Sequence, residues 1–218
     1  MFGQVTGVTP QSKEELETML TQIGFSVEQK QIGIVEGYSF DENSYATTKG
    51  AECTGRLDAQ HDAATFNMGS NWRLPTSNEY IELIMAIKTS ETDTERSLAC
   101  QYEYLNLQGV KQTLTVYRDN PGYYMNISGL LDENDNPLYS KILGIRITNT
   151  NTGAYIYIPA SGGAAGSILS GIGVGAQYQS SSYMNSQYAG QFMFASQYVG
   201  FNDLGIRYLG YSARVVQA

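Results

Sequence analysis

Cysteine, histidine, tryptophan and charged residues are all scarce in this chain of 218 residues. It holds two cysteines, one histidine and one tryptophan, and 16% of its residues are charged, whereas about a quarter is usual in globular domains. Two cysteines are too few for a thiolate-only zinc site. The single histidine, His61, has no serine or cysteine nucleophile in a recognisable elbow nearby, so we predict no catalytic residue.

Long apolar runs and positive charge are also missing. No window of about 18 apolar residues occurs, so no helix is predicted to insert into a membrane. Thirteen basic residues against 21 acidic ones give a net charge of −8, which disfavours nucleic acid and anionic membrane surfaces as partners. The first residues lack a basic segment followed by an apolar one. We therefore expect folding in the cytoplasm, or a leader that was removed.

Cys53 and Cys100 offer one possible disulfide. Such a bridge would stabilise the fold by about 4 kcal/mol on the chain-entropy model. The spacing does not decide whether it forms. Because no leader is visible and cytoplasmic disulfides are rare, we expect two reduced thiols.

The N-terminal segment, residues 1–38, is predicted to attach the protein to a partner or to make it oligomerise. Ser12 and Glu15 have the spacing of a capping box at the start of a predicted helix over residues 12–23, which carries one apolar stripe. The stripe either packs on its own domain or docks on another subunit. Residues 39–218 are assigned to a single following domain.

Two further helices are predicted early in that domain. One has Asp58 as N-cap, runs to Met68 and ends at Gly69. The other begins at Thr76, which forms a second capping box with Glu79. The segments after residue 100 favour strands, at residues 114–117, 123–127, 143–147, 155–158, 191–199 and 208–216. The predicted class is α+β, with two early helices on a mostly antiparallel sheet and long loops, one of them over the glycine-rich residues 162–175.

The most unusual feature is a stretch of sixty residues, 147–206, without lysine or arginine and with Asp203 as its only carboxylate. Its second half is rich in tyrosine, serine, glutamine and asparagine, the residue types that dominate antibody loops. We predict either a recognition surface or a subunit interface here, with some of the tyrosines packing in the core. The candidate ligand-binding residues are Tyr178, Tyr183, Asn185, Tyr188, Tyr198, Asn202 and Tyr208.

Two motifs that suggest a cofactor or metal are incomplete. Gly171-x-Gly173-x-Gly175 lacks the third glycine of a dinucleotide fingerprint and the lysine of a P-loop. The acidic segment that starts at Asp132 has Pro137 where a calcium loop needs its glycine, and is predicted to be a turn. We predict no cofactor and no metal.

Four blocks in order resemble the C-type-lectin-like domains of the Fibrobacter and Bacteroides paralogous family and of their phages. The family signatures are DAA…G…NWRLPT..E…L, FLPAAG, G.YWSSS and YYGRSVRPV. Their counterparts here begin at Asp62, Ile156, Gly175 and Tyr208. Gln179 replaces a tryptophan of the third signature, and Ala213 and Val215 depart from the fourth.

This resemblance implies a non-enzymatic virion protein such as a head fibre, tail tip or decoration protein, assembled in the host cytoplasm. Its partners would be other virion proteins, further copies of the chain in a homo-oligomer, a trimer for example, and a host receptor or glycan. The calcium-dependent sugar motifs and the reactive site of the related formylglycine enzymes are missing. One alternative is a bacterial surface or secreted adhesin that lost its leader, for which we expect a disulfide between Cys53 and Cys100. Another is a degenerate enzyme of the formylglycine type.

Overall fold

Strands dominate the fold of this protein. A computed structural model describes residues 55–57, 59, 62–119, 122–165, 168–183, 188–206 and 209–218. In this part of the chain, 51% of the residues lie in strands and 10% in helices. The predicted α+β class is therefore wrong, because segments without a strand prediction form strands and the two helices are short. The elements are β1 (Gly55–Arg56), α1 (Ala63–Met68), β2 (Trp72–Arg73), α2 (Ser77–Met85), β3 (Leu98–Asn106), β4 (Lys111–Val116), β5 (Tyr124–Asn126), β6 (Tyr139–Asn149), β7 (Tyr155–Pro159), β8 (Ser161–Ala165), β9 (Ile168–Ile172), β10 (Ala176–Tyr183), β11 (Tyr188–Ala195), β12 (Tyr198–Ile206) and β13 (Val216–Gln217).

The strands form three sheets. The large sheet has the order β5-β12-β11-β10-β8-β9, with β1 also paired to β10. The four-stranded sheet has the order β4-β3-β6-β7, and β13 pairs with β2 in a small third sheet. The pairs are antiparallel except at one end of β10, where Ala176 pairs in parallel with Gly162 of β8.

Both helices begin at an acidic or hydroxyl cap. The capping box predicted for Thr76 and Glu79 is confirmed: the Thr76 hydroxyl accepts from the Glu79 backbone N–H, and the Glu79 carboxylate accepts from that of Thr76. Helix α1 starts later than predicted, because its N-cap is Asp62. Asp58 lies outside the described residues. The predicted end of α1 at Gly69 is confirmed, and this residue has φ 88°.

The glycine-rich segment forms a hairpin and not the long loop that we predicted. Strands β8 and β9 pair with each other, and β8 also pairs with β10. Gly162 has φ +66°, and a Cβ at this position would lie 2.1 Å from the carbonyl oxygen of Ser170. Glycine is the residue that fits such a close approach in a left-handed conformation. The sequence of this hairpin does not alternate between apolar and polar side chains. Its strands form through close approach of the glycine backbone, so a search for alternation does not find them.

The other strand predictions vary in outcome. The predicted strands at residues 114–117, 123–127, 143–147 and 155–158 overlap β4, β5, β6 and β7. The predicted strand at residues 191–199 is divided by a turn into β11 and β12. The prediction at residues 208–216 is wrong over most of its length, where the described chain is irregular before β13.

One main core lies between the large sheet, the four-stranded sheet and α2. Tyr102 of β3 and Phe194 of β11 meet edge to face, with ring centroids 6.1 Å apart. Tyr80 of α2 stacks on Phe192 at 5.3 Å. All four side chains are buried, so the inner faces of both sheets depend on this shared aromatic packing.

Several predictions concern residues outside the described part of the chain. Residues 1–38 with their predicted helix, Cys53 and His61 are among them, and those predictions remain untested. Cys100 is fully buried and forms no disulfide within the described residues. No helix among the described residues has the length and apolar character to cross a membrane.

Candidate functional site

The face of the large sheet opposite the main core carries amides and tyrosines. Side chains alternate between the two faces of a strand, and Phe192 and Phe201 pair across β11 and β12 on the core side. The residues before and after each phenylalanine in its strand therefore occupy the opposite face. Cross-strand pairing arranges the residues of this opposite face in three rows, Gln179-Gln191-Asn202, Gln177-Met193-Gly200-Tyr124 and Ala195-Tyr198-Asn126. We call these residues the amide–tyrosine face, and none of them is charged.

Tyr124 and Tyr198 form the aromatic part of this face. The ring of Tyr124 lies on Gly200, where a Cβ would approach its Cδ1 to 2.8 Å. It also meets Tyr198 edge to face, with ring centroids 6.0 Å apart. Burial raises the pKa of Tyr198 above its ordinary value. At neutral pH its phenol is therefore protonated and can both donate and accept a hydrogen bond.

Gln191 occupies the middle of the face and is 3% exposed. Its amide nitrogen donates to the sulfur of Met193 at 3.7 Å, whereas its Oε1 has no hydrogen-bond partner among the described residues. A buried acceptor without a partner costs about 1–3 kcal/mol. The centre of the face thus retains a polar group that the described chain does not satisfy.

The residues predicted from sequence are distributed over different environments. Tyr198 and Asn202 lie on the amide–tyrosine face, and Asn202 Oδ1 accepts from the Leu204 backbone N–H. Tyr178 is buried on the core side, at 3% exposure. Tyr188 is half-buried in β11.

The side chains of the remaining predicted residues lie outside the described part of the structure. Tyr183 belongs to β10, and only its backbone is described. Asn185 and Tyr208 lie outside the described residues.

Of the five amides on the face, the sequence predictions include Asn202 alone. They omit the glutamines Gln177, Gln179 and Gln191, and Asn126 of the distant strand β5. The alternation of Gln177, Tyr178 and Gln179 was a usable signal, since period two places both glutamines opposite the buried tyrosine. The pairing of β5 with β12 has no local sequence signal.

A groove of about 270 Å³ lies between the glycine-rich hairpin and the amide–tyrosine face. Gln177 and Tyr198 come from the face, and Tyr211 comes from the C-terminal segment. Glycines 162, 163, 171 and 175 expose backbone along the wall. Within the described residues, no charged side chain lines this groove.

Tyr211 is held in place by the end of β12. Its hydroxyl accepts a hydrogen bond from the Ile206 backbone N–H at 3.0 Å. A Cβ at Gly163 would lie 3.5 Å from Gln177 Oε1 and 3.8 Å from Tyr211 Cδ1. Gly163 therefore keeps open the space between the amide and the ring.

The residues of the first block form the frame behind this site. Asp62 is 1% exposed, and its carboxylate accepts from the backbone N–H of Ala64 and of Leu74 at 3.0 Å. Arg73 binds Glu79 through two hydrogen bonds of 2.5 and 2.6 Å. Arg73 thereby lowers the pKa of Glu79 to about 2. This pair fixes α2 against β2.

The four blocks that carry the family resemblance meet at one junction. In the first block, the Pro75 carbonyl accepts from the Ser181 N–H at 2.8 Å. In the second, the Pro159 carbonyl accepts from the Tyr178 hydroxyl at 2.8 Å. The fourth block joins through Ser212, whose carbonyl accepts from the Gln179 N–H at 3.0 Å. These hydrogen bonds hold together segments that are far apart in sequence.

Charged groups concentrate on the outer face of the other, four-stranded sheet. The Glu103 side chain is 6% exposed and accepts from Lys111 at 2.6 Å and Arg146 at 2.7 Å. Arg146 also lies 4.6 Å from the ring centroid of Tyr155. Across the described residues, no group of three His, Cys, Asp or Glu side chains is arranged to hold a metal ion.

No protein-family model, curated protein or solved structure matches this chain. The resemblance to C-type-lectin-like domains therefore rests on the sequence blocks and remains a prediction.

Proposed function

We propose that this chain is a non-enzymatic recognition protein of a bacteriophage particle, a head fibre, tail-tip or decoration protein, with a C-type-lectin-like domain. The amide–tyrosine face is its contact surface for a receptor on the host. One observation carries the proposal: three successive rows of one sheet face hold five amides, two tyrosines, three small or apolar residues and no charge. Tyrosines supply contact area at a small entropic cost, and amides supply adaptable hydrogen bonds.

A further observation supports this assignment. The junction through Pro75, Pro159 and Ser212 connects all four sequence blocks of the resemblance, as expected if they form one domain frame.

Charge introduction into the face tests the recognition role. The fluorescently labelled full chain is applied to a printed array of bacterial capsular polysaccharides, lipopolysaccharides and outer-membrane proteins. Gln179→Glu and Asn126→Asp keep the side-chain shape and place a carboxylate in the contact surface, where burial without a partner is costly. We expect binding to at least one array component by the native chain and about tenfold weaker binding by each variant, equivalent to 1.4 kcal/mol.

A matched control separates this effect from net charge. Gln112→Glu adds the same charge at an exposed position of β4, in the other sheet, and should bind like the native chain. Light scattering on the same proteins measures their oligomeric state. Array binding that is unchanged in both face variants, or variants that instead dissociate an oligomer, would reject the recognition role.

The virion placement has its own test. Antibodies raised against the chain should label purified particles released by the host that carries its coding sequence. Label found on the bacterial surface, and not on particles, would favour the adhesin.

A further inference from the structure

We propose that the groove beside the amide–tyrosine face binds one or two rings of a neutral saccharide. This inference rests on the proposed recognition function and names the ligand class for part of the same surface. Four properties of the groove support it: the absence of charge in its described wall, its polar groups, its aromatic side chains and its size.

The lining that the structure describes favours neutral ligands. It holds no lysine, arginine, aspartate or glutamate. A phosphate, carboxylate or ammonium group bound there meets no opposite charge on the described wall, so even its partial burial is unfavourable. Acidic sugars and phosphorylated ligands are therefore disfavoured.

Polar groups of the wall make the groove suitable for a ligand with many hydroxyl groups. The peptide groups of Gly162, Gly171 and Gly175 hydrogen-bond with one another. The Gly175 carbonyl accepts one hydrogen bond, from the Gly162 N–H, and its second lone pair can accept another from a hydroxyl. Gln177 adds a carboxamide, which offers two donor hydrogens and one acceptor oxygen. Within the described residues its side chain has no hydrogen-bond partner. Neighbouring hydroxyls on a sugar ring can satisfy both ends of such an amide.

The aromatic side chains suit the apolar face of a sugar ring. Tyr198 is braced by Tyr124, and Tyr211 is fixed through its hydroxyl by the Ile206 N–H. Rings that are already ordered lose little entropy when a ligand packs on them. Sugars present C–H groups on one face and hydroxyls at the rim, which complements rings flanked by an amide and exposed backbone.

The volume limits the length of the ligand. At about 270 Å³ the groove lies just below the range of roughly 300–1,000 Å³ that holds drug-sized molecules. One or two sugar rings fit this space. A helix or a long oligosaccharide would extend onto the amide–tyrosine face.

Saturation-transfer NMR of the full chain tests the inference. The probes are the methyl glycosides of glucose, galactose, mannose and N-acetylglucosamine, with glucuronic acid and N-acetylneuraminic acid as acidic counterparts. We expect saturation of ring C–H protons for at least one neutral probe and none for the acidic ones. Titration then gives the dissociation constant of that probe.

Three variants locate the bound probe. Gly163→Val fills the space between Gln177 and Tyr211 and should abolish binding, and Tyr198→Ala should weaken it about tenfold or more. Gly163→Ala adds a smaller group at ordinary contact distances, so it covers the case in which the valine variant fails to fold, and should give an intermediate loss. Gln112→Glu is the control and should bind normally. Thermal melting identifies any variant that is unfolded.

The outcomes distinguish this inference from the function on which it rests. Normal probe binding by folded Gly163→Val, or preferential binding of an acidic probe, overturns the groove assignment. If no saccharide binds the native chain but charge on the amide–tyrosine face still abolishes array binding, the inference fails and the recognition function stands. If neither assay detects binding, both fail.

Discussion

The hydroxyl group of Tyr102 donates to the backbone carbonyl of Tyr198, with an oxygen–oxygen distance of 2.8 Å. It also lies 2.7 Å from the carbonyl oxygen of Ala195. Tyr102 is fully buried in the four-stranded sheet, whereas Tyr198 lines the groove of the large sheet. One core hydroxyl thus ties the turn between β11 and β12 to the opposite sheet, and the position of the groove wall depends on core packing.

Removal of this hydroxyl should loosen the turn. We expect Tyr102→Phe to lower the free energy of unfolding by about 1–3 kcal/mol, because both carbonyls lose their shared donor. Urea denaturation monitored by circular dichroism measures this change. Binding of the neutral probe should weaken as well, since the carbonyl that anchors Tyr198 is released.

Tyr80→Phe should have the opposite outcome. The Tyr80 hydroxyl is buried and has no partner among the described residues, while its ring stacks on Phe192. Phenylalanine keeps the stack and removes an unsatisfied group, so we expect unchanged stability or a gain of up to about 1 kcal/mol. The same denaturation experiment provides the comparison. A loss as large as that of Tyr102→Phe would show that the Tyr80 hydroxyl is satisfied in solution.

Acid should weaken the frame through Glu79. The Arg73 guanidinium lowers the pKa of Glu79 to about 2, below the value of about 4.3 in an unfolded chain. A lowered folded-state pKa means that the stabilisation is present above pH 4.3 and is lost as the pH falls toward 2. Because Glu79 is partly exposed, solvent screening limits the contribution at pH 7 to about 1 kcal/mol or less.

Glu79→Gln isolates this contribution. The amide oxygen can still accept at the helix cap, but the charge is gone. Melting curves of the native chain and the variant between pH 7 and pH 2 should converge as the pH falls below about 4. A difference in melting temperature that stays constant over the whole range would assign the effect to the cap and not to the ion pair.

The two cations that flank Glu103 should act redundantly. Lys111→Met and Arg146→Met each leave the buried carboxylate one partner, so each single variant should be mildly destabilised. The double variant leaves the charge unpaired and should lose about 3–5 kcal/mol, more than the sum of the single losses. Urea denaturation of the four proteins gives the coupling energy. Addition of Glu103→Gln to the double variant should recover much of the loss, and simple additivity would contradict the shared role.

Short sequence motifs predicted those parts of the fold that depend on residues close together in the sequence. The capping box of Thr76 and Glu79 and the stop at Gly69 require residues within a few positions of one another, so the sequence pattern reveals them. The helix cap at Asp62 was missed because its carboxylate also binds Leu74 twelve residues away. That contact fixes the start of α1 in preference to Asp58.

The face of the strand on which a tyrosine lies decides whether it reaches the candidate site. Tyr178 and Tyr198 were both predicted to bind a ligand, and both belong to the tyrosine-rich stretch. Tyr178 faces the core, and Tyr198 faces the groove. The bulges of β10 and β11 lie between Gln179 and Tyr183 and between Ala189 and Gln191, away from Tyr178 and Tyr198. Regular alternation therefore places these two tyrosines on opposite faces. Which of the two faces meets the core depends on how the sheets pack, and the pattern of these strands does not mark it.

The amino-acid sequence by itself determined the chemistry that this protein presents, because composition decides that residues 147–206 carry amides and tyrosines and almost no charge. It also determined the local starts and stops of its helices. Only the tertiary structure decided where that chemistry lies: the pairing of β5 with β12 and the glycine hairpin beside β10 bring distant segments together. Their pairing energy depends on contacts between remote residues, and no window of the sequence contains both partners.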